Sequence, residues 1–488
     1  LGATLARHGW VVLAVDCLTF GERRRGERLD RENNHYAGFW NVMAGSSPAR
    51  VIYGEPFRFL EALIHHPWVN PRKVAATGSS GGGTATLFLA ALDPRVAAAG
   101  VVSAVSTWEH FSGFRGGDPE QYPAGLATVA DFSTLLAAVA PRPLLVANGR
   151  KDDLFPAAEA KKSVGRAKTI YRLLEAPEKI VFSEDPGPHG FARPRRQALY
   201  QFLQKHLSPG SAPIVEDPSK SLPPKRLKTG APPDGTTLMK LAQKVASRSP
   251  RVGRERSRER LHRLLGWDKK PPRASLRLRP YRAHEIGAAA AFPPSQGRYV
   301  EIALSAKEKL PGRFFLPGRS GSIKPAGAVV YVSDGGLPSM ALVGSLLQHR
   351  LAVLTVDLAG WGSLMPHRRG RYGLRRQFKG IEESLYIEEF YAAAYLLASG
   401  DSLPGLRTRE VRAALTALIH QLRKEEGYRD PEGPLRVGVL GQGRESAYYA
   451  MAVGALDDRV QAVLALDGAP SLFRLLKTGQ FPPTELVA

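Results

Sequence analysis

The chain is 488 residues long, with 43% apolar and 23% charged side chains and a formal net charge of +23. That length suits two to four globular domains, and the composition excludes a collagen-like or wholly disordered polymer. No run of 18 consecutive apolar residues occurs, which excludes an ordinary transmembrane helix. A single cysteine, Cys17, excludes an intramolecular disulfide and a four-cysteine zinc site. It does not fix the compartment. A chain that opens on Leu1 rather than Met is expected to continue upstream, where any signal peptide would lie, so localisation stays unread.

From the N-terminus, short apolar runs alternate with helical patterns. Trp10–Asp16, Lys73–Thr77, Ala98–Ser103, Pro143–Ala147 and Lys179–Phe182 read as strands. Glu55–His65, Gly82–Leu92, Ala157–Gly165 and Arg195–His206 read as helices. This βαβα order predicts an α/β fold with a mainly parallel sheet, helices on both faces and right-handed crossovers.

Within that order, Gly78-Ser79-Ser80-Gly81-Gly82 fits G-x-S-x-G between an apolar run and a helix. A sharp strand-to-helix turn lifts a serine hydroxyl off the sheet edge, and flanking glycines let the backbone bend. Ser80 is therefore the candidate nucleophile. The free N–H groups at the start of the following helix, Gly81 first, are candidate oxyanion donors. A serine needs an oriented base, and in this architecture acid and histidine follow the serine in the chain. The acid is Asp152 or Asp153, on the loop after Leu144–Ala147; the other would cap the helix behind Pro156. The base is His189, held between Pro188 and Gly190 in a rigid loop. Trp108–Phe132, with Trp108, Phe111, Phe114 and Tyr122, is either a pocket lining or a surface excursion.

Next comes a basic stretch. Between Lys220 and Arg282 stand 19 Lys and Arg against 4 Asp and Glu, a net of +15 out of the total of +23. Pro223-Pro224, Pro232-Pro233 and Pro271-Pro272 punctuate it as linker, and Arg251–Leu265 reads as a short helix with an apolar edge. Because the charge is concentrated here, with only Trp267 and Tyr281 as aromatics among it, a nucleic-acid role is not expected for the protein.

Beyond the linker the pattern returns, with strands at Tyr299–Leu304, Arg313–Leu316, Ala328–Val332 and Ala462–Leu466. HGWVVLAVDCLTFG (residues 8–21) is echoed by HRLAVLTVDLAGWG (residues 349–362), and ALDPRV (residues 91–96) by ALDDRV (residues 455–460). Two copies of one fold account for this better than one large domain. The expected domains are residues 1–208, a linker at 209–250, and residues 251–488. The second copy holds a longer insert, the charged helical stretch Leu403–Asp430. The first copy lacks strands before Trp10 and the second stops soon after Ala462–Leu466, so the native chain is expected to extend at both ends.

Taken together, Gly78 to Thr86, Ala91 to Val96, Ala140-Pro-Arg-Pro-Leu-Leu145, Gly149-x-x-Asp152-x-x-x-Pro156 and Pro188-His189-Gly-Phe191 resemble the α/β-hydrolase superfamily. The resemblance is greatest to its acetyl xylan esterase and dienelactone hydrolase-like branch, and it covers residues 1–208. It implies Asp152 as the triad acid, an esterase acting on small-molecule or carbohydrate esters, and no metal or organic cofactor. It also implies that a second oxyanion donor lies upstream of Leu1. The second copy is similar in scaffold only. Its elbow reads Gly441-Gln442-Gly443-Arg444, with Gly443 at the nucleophile position and Ser446 a helix residue. Its Asp334-Gly335-Gly336 is similar to an oxyanion loop with no nucleophile to serve. The competing expectations are a prolyl-oligopeptidase-type serine peptidase, against which no propeller-blade repeat is seen, and a non-catalytic polyanion-binding scaffold. Neither oligomeric state nor the ester itself is readable.

Overall fold

A computed structural model of the chain describes residues 1–18, 20–23, 47–114, 119–217, 223, 226–230, 238–248, 253–267, 274–279, 298–305, 307–318, 323–336, 338–361, 364, 393, 396–424 and 435–468. Pro224, Pro232, Pro233, Pro271 and Pro272 of the linker lie outside these residues. Within Trp108–Phe114 the side chain of Phe114 does too. The chain forms two compact units, Leu1–Arg248 with Leu397–Gly400, and Ser249–Leu396 with Asp401–Ala488. Among the described residues no helix is long and apolar enough to cross a membrane.

In the first unit, β1 (Ala75–Ser79), β2 (Ala98–Val102), β3 (Leu144–Lys151) and β4 (Ile180–Pro188) form a sheet in that spatial order. Every pairing in it is parallel. β2 is buried along its whole length and β3 over its first six residues, as expected for a parallel sheet covered by crossover helices. Leu199, Tyr200 and Leu203 of the Arg193–Leu207 helix pack with Ala98, Val102, Leu145 and Ala147 of the sheet, and Leu5 of the Gly2–Arg7 helix joins them. The Gly81–Leu92 helix ends at Asp93, where Arg142 donates to the carbonyls of Ala90, Asp93 and Val96 at 2.6, 3.0 and 2.8 Å. A cation on orphan C-terminal carbonyls also suits the helix dipole.

Trp10–Asp16 is not a strand. Val11, Val12, Leu13 and Val15 are 38–47% exposed. The apolar run has no ladder partner: β1 is the edge of the sheet, and no strand among the described residues stands beside the run. A run of β-branched residues becomes a strand only where a neighbour takes up its N–H and C=O groups.

The second unit carries seven strands: β5 (Ser275–Arg279), β6 (Arg298–Ala303), β7 (Lys309–Phe315), β8 (Gly327–Ser333), β9 (Leu351–Val356), β10 (Val437–Gln442) and β11 (Ala462–Leu466). Their spatial order is β11-β10-β8-β9-β7-β6-β5. β9, β8, β10 and β11 pair in parallel, whereas β5, β6, β7 and β9 pair antiparallel. Here the run matching Trp10–Asp16, β9, lies between β8 and β7 and is a buried strand. The charged helical stretch is the Leu403–Lys424 helix. Val411, Ala414, Leu415, Ala417, Leu418 and Leu422 sit in the core of this unit.

Both units end their elbow helices in one local pattern. Asp93 accepts from the backbone N–H of Arg95 at 3.0 Å and pairs with its guanidinium. Asp457 does the same with Arg459, the N–H bond being 3.2 Å.

Candidate active site

Ser80 stands between β1 and the Gly81–Leu92 helix with φ 58° and ψ −126°. A left-handed φ is costly for a serine and persists where surrounding structure over-determines it. The determinants are visible. The Ser80 N–H donates to the Val102 carbonyl at 3.0 Å, and the Ser80 carbonyl accepts from the Thr84 N–H at 2.9 Å. Gly78 packs so closely on the Gly82 carbonyl that a Cβ there would clash with it. The turn is thus the strained elbow that the sequence pattern predicts, and Gly81 opens the helix behind it, its N–H in the first turn.

Asp152 and His189 come together. The His189 Nδ1 lies 3.1 and 3.0 Å from the two carboxylate oxygens of Asp152. The Asp152 side chain is fully buried and that of His189 is partly open, which suits a fixed acid behind a base that reaches substrate. Asp152 Oδ1 also accepts the backbone N–H groups of Leu154 and Phe155 at 3.1 and 2.9 Å. Asp153 points to solvent. Of the two aspartates, the structure brings Asp152 alone to His189.

The serine and the histidine loop are anchored to consecutive residues at the end of β2. Val102 accepts from the Ser80 N–H. The Ser103 hydroxyl donates to the Gly190 carbonyl at 3.2 Å. Ser80 follows β1, Asp152 follows the last residue of β3 and His189 follows β4. All three therefore lie along the carboxyl edge of a parallel sheet, where open α/β folds place their chemistry.

Two residues of this arrangement were not read from the sequence. Asn148 is buried and donates to the carbonyls of Val105 and Phe155 at 3.1 and 2.8 Å, fixing the turn that carries Asp152. Phe155 stacks on the His189 ring, with centroids 5.9 Å apart. The signal for Asn148 was present: an amide directly after the apolar run Leu144–Ala147. Trp108, Phe111, Tyr122 and Phe132 pack on one another at 5.0–6.3 Å, and Phe111 stacks on Phe155. These rings make a continuous wall from the excursion to the histidine.

The elbow of the second unit is filled. Gly443, at φ 111°, has Asp334 so close that a Cβ would collide with its carboxylate. That carboxylate accepts from the N–H groups of Ser446 and Glu445 at 2.9 and 3.4 Å. Asp334 turns inward and caps the Ser446–Leu456 helix, and the Ser446 hydroxyl is buried.

The family model described as the prolyl oligopeptidase family matches residues 50–208. The chain matches no curated protein. Among solved structures it is similar to a carbohydrate esterase family 15 glucuronoyl esterase from Caldicellulosiruptor kristjansonii, at 20% identity over 36% of this chain and 56% of that one, TM-score 0.29. It is similar to methylesterase BT1017, at 25% identity over 44% and 47%, TM-score 0.34. It is also similar to a glucuronoyl esterase from Sporotrichum thermophile, at 15% identity over 38% and 63%, TM-score 0.29. The chain thus spans from 47% to 63% of the length of these three structures. Residues 50–208, with their strained serine elbow, thus have an α/β-hydrolase-like fold and match the model of a serine hydrolase family.

Proposed function

We propose that the protein is a serine carboxylesterase that cleaves carbohydrate esters, acetyl esters first, through an acyl-enzyme. The observation that carries this reading is the Asp152–His189 pair on the same sheet edge as the strained Ser80 elbow. His189 takes the Ser80 proton as Oγ attacks the ester carbonyl. Asp152 holds the imidazole tautomer and stabilises its cation, and the Gly81 N–H donates to the oxyanion. Collapse of the tetrahedral adduct expels the alcohol, which takes the proton from His189. Water, deprotonated by the same histidine, then releases the acid and restores Ser80. No metal or cofactor enters these steps.

A second reading, a serine peptidase, is favoured by the family match to residues 50–208. Both use the same triad, so the substrate separates them. The parent protein should hydrolyse p-nitrophenyl acetate and deacetylate acetylated xylan, with little turnover of a chromogenic prolyl dipeptide. Ser80→Ala should lower ester turnover by about 10⁴-fold or more. Equal turnover by the two proteins would remove Ser80 as nucleophile, and a reversed substrate preference would install the peptidase.

The two units read as related copies with the second silent in catalysis. The shared Asp-x-Arg turns after their elbow helices support the kinship.

A further inference from the structure

We propose that Arg195, together with Asp185 and Ser103, is the positioning device of the catalytic histidine. It holds the His189 loop by the carbonyls on both sides of that residue. This rests on the triad reading above and goes beyond it. Arg195 is 1% exposed. All five of its N–H donors have partners. Nε donates to Asp185 Oδ2 at 2.5 Å, and Nη2 donates to Asp185 Oδ1 at 3.2 Å and to the Pro188 carbonyl at 2.6 Å. Nη1 donates to the Gly190 carbonyl and to Ser103 Oγ at 2.8 Å. A guanidinium has five donors in a rigid fork, so this site uses its full capacity. Two of the bonds bracket His189 in the chain.

The position of Arg195 argues for function over fold stability. It lies in the first turn of the Arg193–Leu207 helix, where the dipole favours anions. A cation there gives up helix stability for the sake of its acceptors. Ser103 is unusual as well: fully buried, with φ 45°, a strained setting that aims its hydroxyl between Arg195 and the Gly190 carbonyl. Ser103 directly follows Val102, which holds the Ser80 N–H. The clamp therefore sets the histidine loop against the residue that anchors the nucleophile. Asp185 neutralises the guanidinium, so the clamp adds no net charge beside an imidazole that must become a cation. Asp185 is itself braced by the Gly187 N–H at 2.7 Å.

The test uses the full chain with Arg195→Lys, Arg195→Ala and Ser103→Ala, beside Ser80→Ala. Lysine keeps the charge and loses the fork. In folded Arg195→Lys, kcat for p-nitrophenyl acetate should fall by about 10²-fold, the cost of a misplaced group, with KM changed by less than about threefold. Added guanidinium should restore part of the activity of Arg195→Ala. The downfield His189 Nδ1–H resonance, read by histidine-selective ¹⁵N labelling, should be present in the parent protein and in Ser80→Ala and lost in the Arg195 variants. Ser103→Ala, which removes the bond from Arg195 and the bond to the Gly190 carbonyl, should move kcat and the resonance in the same direction and is the deciding variant if the Arg195 proteins do not fold. Folded variants with kcat within about threefold of the parent and an intact His189 resonance would overturn the proposal and leave the triad standing. Unchanged turnover in Ser80→Ala would instead overturn the triad, and the resonance would still report on the clamp.

Discussion

Asp152 and Asp153 are neighbours in the sequence with opposite surroundings. Asp152 is buried against His189 and two backbone N–H groups, and Asp153 is exposed. Asp152→Asn should keep the fold and lower kcat by about 10⁴-fold, because an amide leaves the imidazole in the wrong tautomer. Asp153→Asn should leave kcat within about twofold, the small effect expected of an exposed site away from the chemistry. Steady-state kinetics on p-nitrophenyl acetate checks the pair, and equal losses would mean that the acid was misassigned. Cys17 permits a second prediction. Burial, then the Glu55 and Glu120 carboxylates, push its thiol up to about 11. The thiolate is the nucleophile, so iodoacetamide should leave Cys17 unmodified at pH 8 in the folded protein. It should label Cys17 after denaturation. Rapid labelling of the native protein, read by mass spectrometry, would contradict this environment.

At the scale of elements, what could be read from the sequence followed what is local. The elbow strand, its helix, the acid loop and the histidine loop were legible because each is set by a short run and its turn residues. Trp10–Asp16 was misread because a strand depends on a neighbour that a local pattern cannot supply. The helical stretch expected from Leu403 is present as Leu403–Lys424, but its charges do not tell in the sequence which face is buried. In the fold its arginines are consumed by partners: Arg407 by buried Glu445 and the Ala359 carbonyl, Arg409 by Asp401. On the same helix Glu410 is buried and accepts the Ala359 N–H at 2.9 Å. Burial raises its carboxyl from 4.5 to about 7, against the opposing pull of that N–H, Arg407 and Arg409. The folded state then binds this proton more tightly than the unfolded one. The stability it contributes is complete below pH 4.5 and is lost as pH rises through about 7. Glu410→Gln should therefore stabilise the second unit at pH 8, by about 2–3 kcal/mol, and change it far less at pH 5. Thermal unfolding at the two pH values tests this; a destabilised variant at pH 8 would show that the carboxylate charge is favourable where it stands.

At the scale of the whole molecule, the question is whether one chain with two elbows has one reactive serine. Gly443, which the proposed kinship of the two units sets at the nucleophile position of the second, has no room for a side chain while Asp334 is there. The Asp334 carboxylate already accepts the helix N–H groups that an oxyanion would need, and its negative charge would repel one. Ser446, the nearest hydroxyl in sequence, opens the helix fully buried. In the first unit Ser80 is partly exposed and Gly81 opens its helix. A fluorophosphonate, which reacts with activated serines, should accordingly label one residue per chain. Peptide mapping should place the label at Ser80, and Ser80→Ala should abolish it. Gly443→Ser should add no second label, because the new hydroxyl would have neither space nor an oxyanion site. Gly443→Ser combined with Asp334→Gly makes room but supplies no histidine, so it too should stay unlabelled. A label at Ser446 in the parent chain, or at position 443 in either variant, would mean that the second unit retains an activated elbow.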